Sequence, residues 1–292
     1  MEKYKKFAVL LLAVMSTGLG AWAKAEGPST SSKVTSHTDP VSSIALASYW
    51  TEELTSAELA ASIASGMTTV IIPTGGIEEN GPYLTTGKHN VILDVTCPQI
   101  AQILSNALCA PVVKFVPEGN IDPPSGAMKY PGTISLRQET YEALLTDICA
   151  SLRQAGFRNI VLIGDSGGNQ RGMERIAAAL NAAWTDADAQ VHFIADYYDP
   201  GWEATERYTE RELGVKETQA DGYHDDIWVT AMMMVKDPEL VRYSLREQSG
   251  TTSINGVSIS PAEKTIALGE KMIRFRAELT AEAINRALAK TQ

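Results

Sequence analysis

Basic residues and cysteines are both scarce in this sequence. The chain carries 25 Lys and Arg against 35 Asp and Glu, a formal net charge of −10. Phosphate backbones and anionic lipids attract basic surfaces, so we expect no nucleic-acid partner and no stable membrane association. The three cysteines, Cys97, Cys109 and Cys149, are too few for the disulfide framework of a small secreted domain. They lie in apolar stretches typical of buried free thiols, and we assign them no function.

Long apolar runs are also missing beyond the N-terminus. A basic start, a short apolar run and small residues at 21–25 predict a cleaved signal peptide over residues 1–25. Residues 26–45 are rich in Ser, Thr and Pro, which predicts a flexible leader. We therefore expect a single globular domain over residues 46–292, located in the periplasm or secreted.

The remaining sequence alternates short strands with helices. The β-branched runs predict strands at 68–73, 111–116, 159–164 and 190–195. The segments of helical length predict helices at 56–65, 90–108, 135–155, 169–184 and 260–292. The third of these helices begins with a pattern typical of a capping box, with Ser135 as the N-cap. Strands with little alternation of polarity, separated by helices, indicate a mostly parallel sheet covered on both faces, hence an α/β fold of three layers, α/β/α.

In such a sheet, ligands bind beyond the carboxyl ends of the strands. Of the four histidines, His37 lies in the leader and His192 inside a predicted strand, which leaves His89 and His224 as candidates for chemistry. Both can approach the acidic segments that follow the strands. The active site is therefore predicted at this edge of the sheet.

Two carboxylates can meet these histidines. Glu78 follows the first predicted strand and Asp165 follows the third. Carboxylates and imidazoles without thiolates suit a divalent Zn, Mn or Fe ion, which lowers the pKa of a bound water and polarises a carbonyl. The alternative is that Glu78 is a loop or cap carboxylate and His89 an exposed loop residue. The residue types alone do not distinguish this interpretation from a metal site.

Several motifs resemble the creatininase (creatinine amidohydrolase) family. They lie at 73–84, at 130–136, and at 156–161 leading into 167–169, and the resemblance extends over residues 50–234. It implies a metal-dependent amidohydrolase with a three-layer α/β fold that acts on a small-molecule substrate. It also implies a homo-oligomer, often a hexamer.

The resemblance assigns positions in the site. One of the family's metal ligands is retained, as Glu78. The exchanged positions are Asn80, Tyr83 and Ser166, each in place of a histidine, and His89 in place of an aspartate. Because His89 and Asp165 appear at or beside exchanged ligands, we expect a rearranged centre in which Glu78, His89 and Asp165 hold one metal.

In the resulting hypothesis, metal-activated water attacks an amide carbonyl. His224 acts as the proton shuttle, oriented by Asp225 or Asp226. The residues expected to contact the substrate are Asn80, Tyr83, Ser166 and Asn169, with Tyr130 and Trp228 completing an apolar wall.

Two other functions stay open. Residues 164–168 match Gly-x-Ser-x-Gly at a strand-to-helix turn, with acids and a histidine later in the chain, so a serine hydrolase using Ser166 and His224 is one alternative. A non-catalytic protein that binds a polar small molecule is the other, because most of the family's ligands are exchanged.

Overall fold

The computed structural model describes residues 46–185 and 188–290. The predicted signal peptide (1–25) and leader (26–45) lie outside the described residues. Among the helices described, none is long and apolar enough to cross a membrane.

Four parallel strands form the central sheet. They are β1 (Thr69–Thr74), β2 (Ala107–Cys109), β3 (Asn159–Gly164) and β4 (Gln190–Phe193), in the spatial order β2-β1-β3-β4. In the register of the central pair, Thr74 lies opposite Gly164. The two strands therefore end side by side, and the segments that follow them meet at one edge of the sheet.

Helices cover both faces of this sheet. The helices of the described residues are α1 (Ser56–Ala64), α2 (Lys88–Leu104), α3 (Gln138–Ala155), α4 (Gln170–Ala183), α5 (Gly201–Arg211), α6 (Ile227–Lys236), α7 (Tyr243–Ser249) and α8 (Ala262–Ala289), of which α6 and α7 pack in a cluster beside the sheet. Side chains of β1 alternate between the faces: Val70 and Ile72 pack with α3 and α4, and Ile71 packs with α2 and α8. The three-layer α/β/α architecture predicted from the sequence is confirmed.

The second predicted strand is wrong. The strand lies at β2, before Pro111, and residues 111–116 form only isolated bridges, from Val113 to Thr74 and from Val116 to Ser135. The predicted helix over 90–108 ends instead at Leu104, because Ser105 adopts a left-handed conformation with φ of 60° and closes the helix. The apolar residues beyond it form β2, because a short apolar run suits a buried strand as well as a helix.

The predicted capping box at Ser135 is also wrong. Helix α3 begins at Gln138, and the Ser135 hydroxyl donates to the carbonyl of Gly119 at 2.7 Å and accepts from the amide of Glu118 at 2.8 Å. This serine therefore fixes the segment after β2 rather than the start of a helix. The hydrogen bond from the Glu118 amide to Ser135 helps to fix the position of Glu118 near the site.

Two of the cysteines form a disulfide, contrary to the expectation of free thiols. Cys97 of α2 is joined to Cys109 of β2, and Cys149 is free and buried. Sequence spacing alone gave no sign that the helix would pack its cysteine against the strand that follows it. The bond ties α2, which carries residues of the site, to the sheet.

The last described helix, α8, packs against α2 and α6. Helix α8 packs on α6 so closely that a Cβ atom at Gly269 would lie 2.1 Å from the carbonyl oxygen of Ala231. Glycine at this position therefore allows the contact. The approach places Arg276 of α8 in the interior, beside the carboxyl ends of the strands.

Candidate metal centre and active site

A buried imidazole joins two of the predicted site residues. His89 lies in the first turn of α2, with 3% of its surface exposed, and its Nδ1 is 2.8 Å from Oδ2 of Asp165. Its Nε2 is 2.8 Å from Oε1 of Glu78. Burial and the charge of Lys88 oppose protonation, but the hydrogen bonds to both acids outweigh them and raise the pKa of His89. The three residues proposed as ligands from sequence are therefore brought together.

Asp165 lies on the inner side of the imidazole. It is fully buried, and its second oxygen, Oδ1, accepts a hydrogen bond from Arg276 at 2.8 Å. Burial opposes its charged form, but the Arg276 guanidinium and the His89 hydrogen bond lower the pKa of Asp165 below its usual range. Both oxygens are thus engaged, so Asp165 orients His89 rather than offering a free ligand atom.

Glu78 lies on the outer side of the imidazole, in the loop after β1. Besides His89, Nζ of Lys88 lies 3.2 Å and Nδ1 of His224 lies 3.6 Å from its Oε1. Burial favours the neutral acid, but the nearby imidazole of His224, the hydrogen bond with His89 and the charges of His89 and Lys88 hold the pKa of Glu78 well below its usual range. The carboxylate is ionised and available as a ligand.

A third acid, Glu118, is not among the site residues predicted from the sequence. It is 92% buried, and its Oε2 accepts a hydrogen bond from the Ser166 hydroxyl at 2.9 Å. Its Oε1 has no hydrogen-bond partner among the described residues. Burial is the main cause that raises the pKa of Glu118 to about 7. The one available signal was its place in a segment directly after a predicted strand.

Glu78, His89 and Glu118 form a group that fits a divalent cation. One ligand atom from each lies within 4.8 Å of the others, and all three residues are buried. Two carboxylates and an imidazole suit Zn, Mn or Fe, and the buried, unpartnered Oε1 of Glu118 is an oxygen that a cation would satisfy. A hydrogen bond from the other ring nitrogen to a carboxylate is typical of metal-binding histidines, and Asp165 provides it.

Close packing of the backbone makes this group compact. A Cβ atom at Gly76 would lie 2.0 Å from Oε1 of Glu118 and 3.3 Å from Cδ2 of His89. Glycine after β1 therefore leaves room for both side chains. The Asn90 side chain holds the same turn, since it accepts from the amide of Gly76 and donates to its carbonyl.

His224 lies at the mouth of the site, with 69% of its side chain exposed. The structure gives it a different partner from the one expected, because its ring contacts Glu78. Asp225 instead pairs with Arg246 at 3.5 Å, and the carboxylate of Asp226 accepts from Asn255 at 3.4 Å. Neither aspartate is placed to orient His224. His192, as expected, is a largely buried residue of β4.

The residues assigned to the substrate are placed in different ways. The Asn169 side-chain amide donates to the carbonyls of Thr74 and Gly75, and it is fully buried. It therefore holds the end of β1. Asn80 donates to the carbonyl of Glu78, and its Oδ1 lacks a partner among the described residues. Asn80 supports the loop that carries Glu78.

The contacts of Tyr83 are with residues outside the group that fits the cation. Its ring lies under the guanidinium of Arg246, 4.2 Å from the ring centroid, and its hydroxyl is 3.4 Å from that of Thr251. Trp228 is also removed from the site surface, since it is 4% exposed and packs edge-on against Trp202. Both belong to the packing around the C-terminal helices.

A cavity of about 340 Å³ opens at Glu78 and His224. Its lining residues are Glu78, Glu79, Gly126, Ala127, Tyr130, Gly222, Tyr223 and His224. Tyr130 thus contributes to the wall as expected, whereas Tyr223 was not anticipated. Gly81 has a positive φ of 90°, and its missing side chain leaves space for the Tyr223 ring, whose Cγ lies 2.8 Å from the site of a Cβ atom. The cavity has room for a small molecule beside Glu78, the one residue of the candidate metal group that lines it.

The geometry gives no support to a serine nucleophile. The Ser166 hydroxyl donates to Glu118, and His224 contacts Glu78. Ser166 has φ of −104° and ψ of 148°, an ordinary extended conformation rather than the strained turn of a nucleophile elbow. A serine hydrolase needs its histidine within hydrogen-bond reach of the hydroxyl.

Three comparisons with known proteins agree. The family model for creatinine amidohydrolase matches residues 52–284. A creatinine amidohydrolase of Pseudomonas putida is 26% identical over 194 residues, which cover 65% of this chain and 72% of that protein. A mutant creatininase of the Zn–Zn type superposes with a TM-score of 0.59 at 21% identity, over 82% of this chain and 98% of the other. A creatininase designated Mn gives a TM-score of 0.57 at 22% identity over the same fractions. The chain belongs to the creatinine amidohydrolase family and is an amidohydrolase of that family.

Proposed function

We propose that this chain hydrolyses a carbon–nitrogen bond, in an amide or cyclic amide, of a small polar molecule with the help of a divalent metal held by Glu78, His89 and Glu118. The observation that carries the proposal is the compact group of three buried ligand atoms at the carboxyl ends of β1 and β3. Asp165, one of the ligands expected from sequence, is replaced in this set by Glu118, because both Asp165 oxygens are engaged.

The relatives support the choice of metal and reaction. The Pseudomonas putida relative is a creatinine amidohydrolase, and the solved creatininases include a Zn–Zn type and an Mn type. We therefore propose Zn, Mn or Fe as the metal and a small amide as the substrate. Creatinine is the first compound to assay, although the residues around the site differ from the family pattern.

Each residue of the site has a proposed role. When bound, the ion lowers the pKa of a water molecule and polarises the substrate carbonyl. Asp165 keeps His89 oriented, and Ser166 keeps Glu118 oriented. His224, exposed at the cavity and 3.6 Å from Glu78, is placed to carry a proton between the leaving nitrogen and solvent. The Tyr130 and Tyr223 rings form the cavity wall.

We also propose that the protein is exported and loses residues 1–25. The buried disulfide between Cys97 and Cys109 supports this, because disulfides persist in oxidising compartments. Cell fractionation with N-terminal sequencing tests it, and the expected mature protein begins at Glu26 in a periplasmic or extracellular fraction. An intact N-terminus in the cytosol would contradict it. Assembly into a homo-oligomer, a hexamer by resemblance, stays a prediction for light scattering.

Elemental analysis tests the proposed activity. The protein purified without chelators is expected to contain a transition metal and to release product from creatinine or another small cyclic or linear amide. Glu78→Gln should lower the metal content severalfold and reduce activity by at least 100-fold. The matched control is Glu52→Gln, an exposed acid before α1, which should change neither. Activity that survives complete removal of metal by a chelator would refute the metal mechanism.

A further inference from the structure

A buried lysine lies beside the group that fits the cation. Lys88 is the first residue of α2, and 1% of its surface is exposed. Its Nζ lies 3.2 Å from Oε1 of Glu78 and 5.7 Å from the centroid of the Trp202 ring. Within residues 46–185 and 188–290, Glu78 is the only acid that forms an ion pair with it. Burial of an ammonium group is unfavourable unless it is paired, and the acid that pairs with Lys88 is a proposed metal ligand.

Lys88 pairs with a carboxylate that the metal would also use, that of Glu78. Oε1 of Glu78 contacts Nζ of Lys88 and Nε2 of His89. An ion held by Glu78 and His89 therefore lies near the ammonium, in surroundings where burial reduces dielectric screening. Two positive charges at such a separation repel strongly. The repulsion opposes binding of the ion.

The charges around the centre limit how many ions it can hold. The acids are Glu78, Glu118 and Asp165, and the permanent cations are Lys88 and Arg276. Residues that bind a metal are deprotonated, so in the metal-bound centre the three acids are ionised and His89 is neutral, and these side chains together carry a charge of −1 before the ion is counted. One divalent ion brings it to +1, and a second would bring it to +3, a buried excess that no other described acid of the centre offsets.

We propose that the Lys88 ammonium supplies the second positive charge of the centre, so that the protein binds a single divalent ion and binds it more weakly than the same site without the ammonium. This inference rests on the proposed metal-dependent function. Lys88 would not bind the ion itself. It is a positioning residue that acts on the site through its ion pair with Glu78. It keeps Glu78 ionised and fixed when the ion is absent.

Calorimetric titration of the untagged full chain with Zn²⁺, and separately with Mn²⁺, measures the effect. The variants are Lys88→Met, which keeps the length of the side chain, and Lys88→Arg, which keeps the charge. The matched control is Lys236→Met. Lys236 is an exposed lysine of α6 that pairs at 3.7 Å with Asp94, an acid of the helix that carries Lys88. Circular dichroism checks folding, and Lys88→Gln replaces Lys88→Met if the latter does not fold.

The expected result is one ion per chain in the wild-type protein and at least tenfold tighter binding to Lys88→Met. Lys88→Arg and Lys236→Met should bind within threefold of wild type. Two ions in the wild-type protein, or unchanged or weaker binding to Lys88→Met and Lys88→Gln, would overturn the inference and leave the proposed function intact. Binding by Lys88→Met alone would overturn the proposed function, and the inference with it, because the wild-type protein would then hold no ion. Absence of binding to every variant would overturn both.

Discussion

Arg276 and Asp165, which are 111 residues apart in sequence, form an ion pair of 2.8 Å in which neither side chain is exposed. The guanidinium also donates to the carbonyl of Tyr197 at 3.2 Å and lies 4.2 Å from the centroid of its ring. Asp165 in turn contacts His89. The C-terminal helix therefore holds the acid that orients the imidazole of the candidate centre.

Loss of Arg276 should destabilise the protein strongly. Arg276→Gln leaves the Asp165 carboxylate buried without its cation, a change that typically costs about 3–5 kcal/mol. The control is Arg274→Gln on the same helix, which breaks an exposed pair with Glu278 and should cost no more than about 0.5 kcal/mol. Urea denaturation of the metal-free protein measures both. Equal losses in the two variants would contradict the structural role given to Arg276.

The sequence could predict the ends of the strands but not everything that meets there. The runs of β1 and β3 are continuously apolar because both faces are covered, and the segments after them contain Glu78 and Asp165. Glu118 follows no regular strand, since residues 111–116 form only isolated bridges. The position of Glu118 depends on Ser135, whose hydroxyl accepts a hydrogen bond from the Glu118 amide and donates one to the Gly119 carbonyl. Long-range contacts of this kind have no local sequence signal.

The burial of Arg276 could not be predicted from the sequence for a related reason. In a long terminal helix an arginine normally lies on the solvated face, and its burial follows from the packing of α8 across α2 and α6. Similarly, Cys97 and Cys109 pair because α2 packs on β2. The sequence predicted the layers, whereas the residues that connect one layer to another required the structure.

Ser166→Ala should retain much of the activity. In the proposed mechanism the Ser166 hydroxyl holds Glu118 through a hydrogen bond of 2.9 Å, and its loss leaves the ligand in place with one contact fewer. We expect a decrease in kcat/KM of about tenfold or less, consistent with the loss of one hydrogen bond to a charged group. Steady-state assays before and after treatment with a serine-directed inhibitor measure this. Complete loss of activity in both experiments would revive the serine hydrolase alternative.

Asp225 should lower the free energy of unfolding as the pH rises, the opposite of the effect of an acid whose pKa is lowered by folding. Burial and the charges of Asp221 and Asp226 raise the pKa of Asp225 to about 6 despite its pair with Arg246. Its ordinary value is 3.8, so between about pH 4 and 6 the folded protein holds a proton that the unfolded chain has released. This contribution is present below about pH 4 and is lost as the pH rises through 6.

The Asp225→Asn variant isolates that contribution. The difference in unfolding free energy between wild type and Asp225→Asn should change by about 1–3 kcal/mol from pH 4 to pH 7, with wild type losing stability relative to the variant. The control is Asp122→Asn, an exposed acid whose substitution should give a flat difference. Chemical denaturation at a series of pH values supplies the comparison. A difference that rises with pH would show that Asp225 is ionised more easily in the folded protein than its burial implies.

Metal binding should stabilise the folded protein through Glu118. An ion that binds only the folded state adds about 2.7 kcal/mol of stability at a free concentration 100 times its Kd. We therefore expect Zn²⁺ or Mn²⁺ to raise the Tm of the chelator-treated protein. Because Glu118→Gln removes one of three ligands and leaves an amide in its place, the increase should disappear in that variant. Glu139→Gln, at an exposed position in the first turn of α3, is the control and should keep the full increase. A full increase in Glu118→Gln, together with its loss in Asp165→Asn, would favour the ligand set expected from sequence over the one proposed from the geometry.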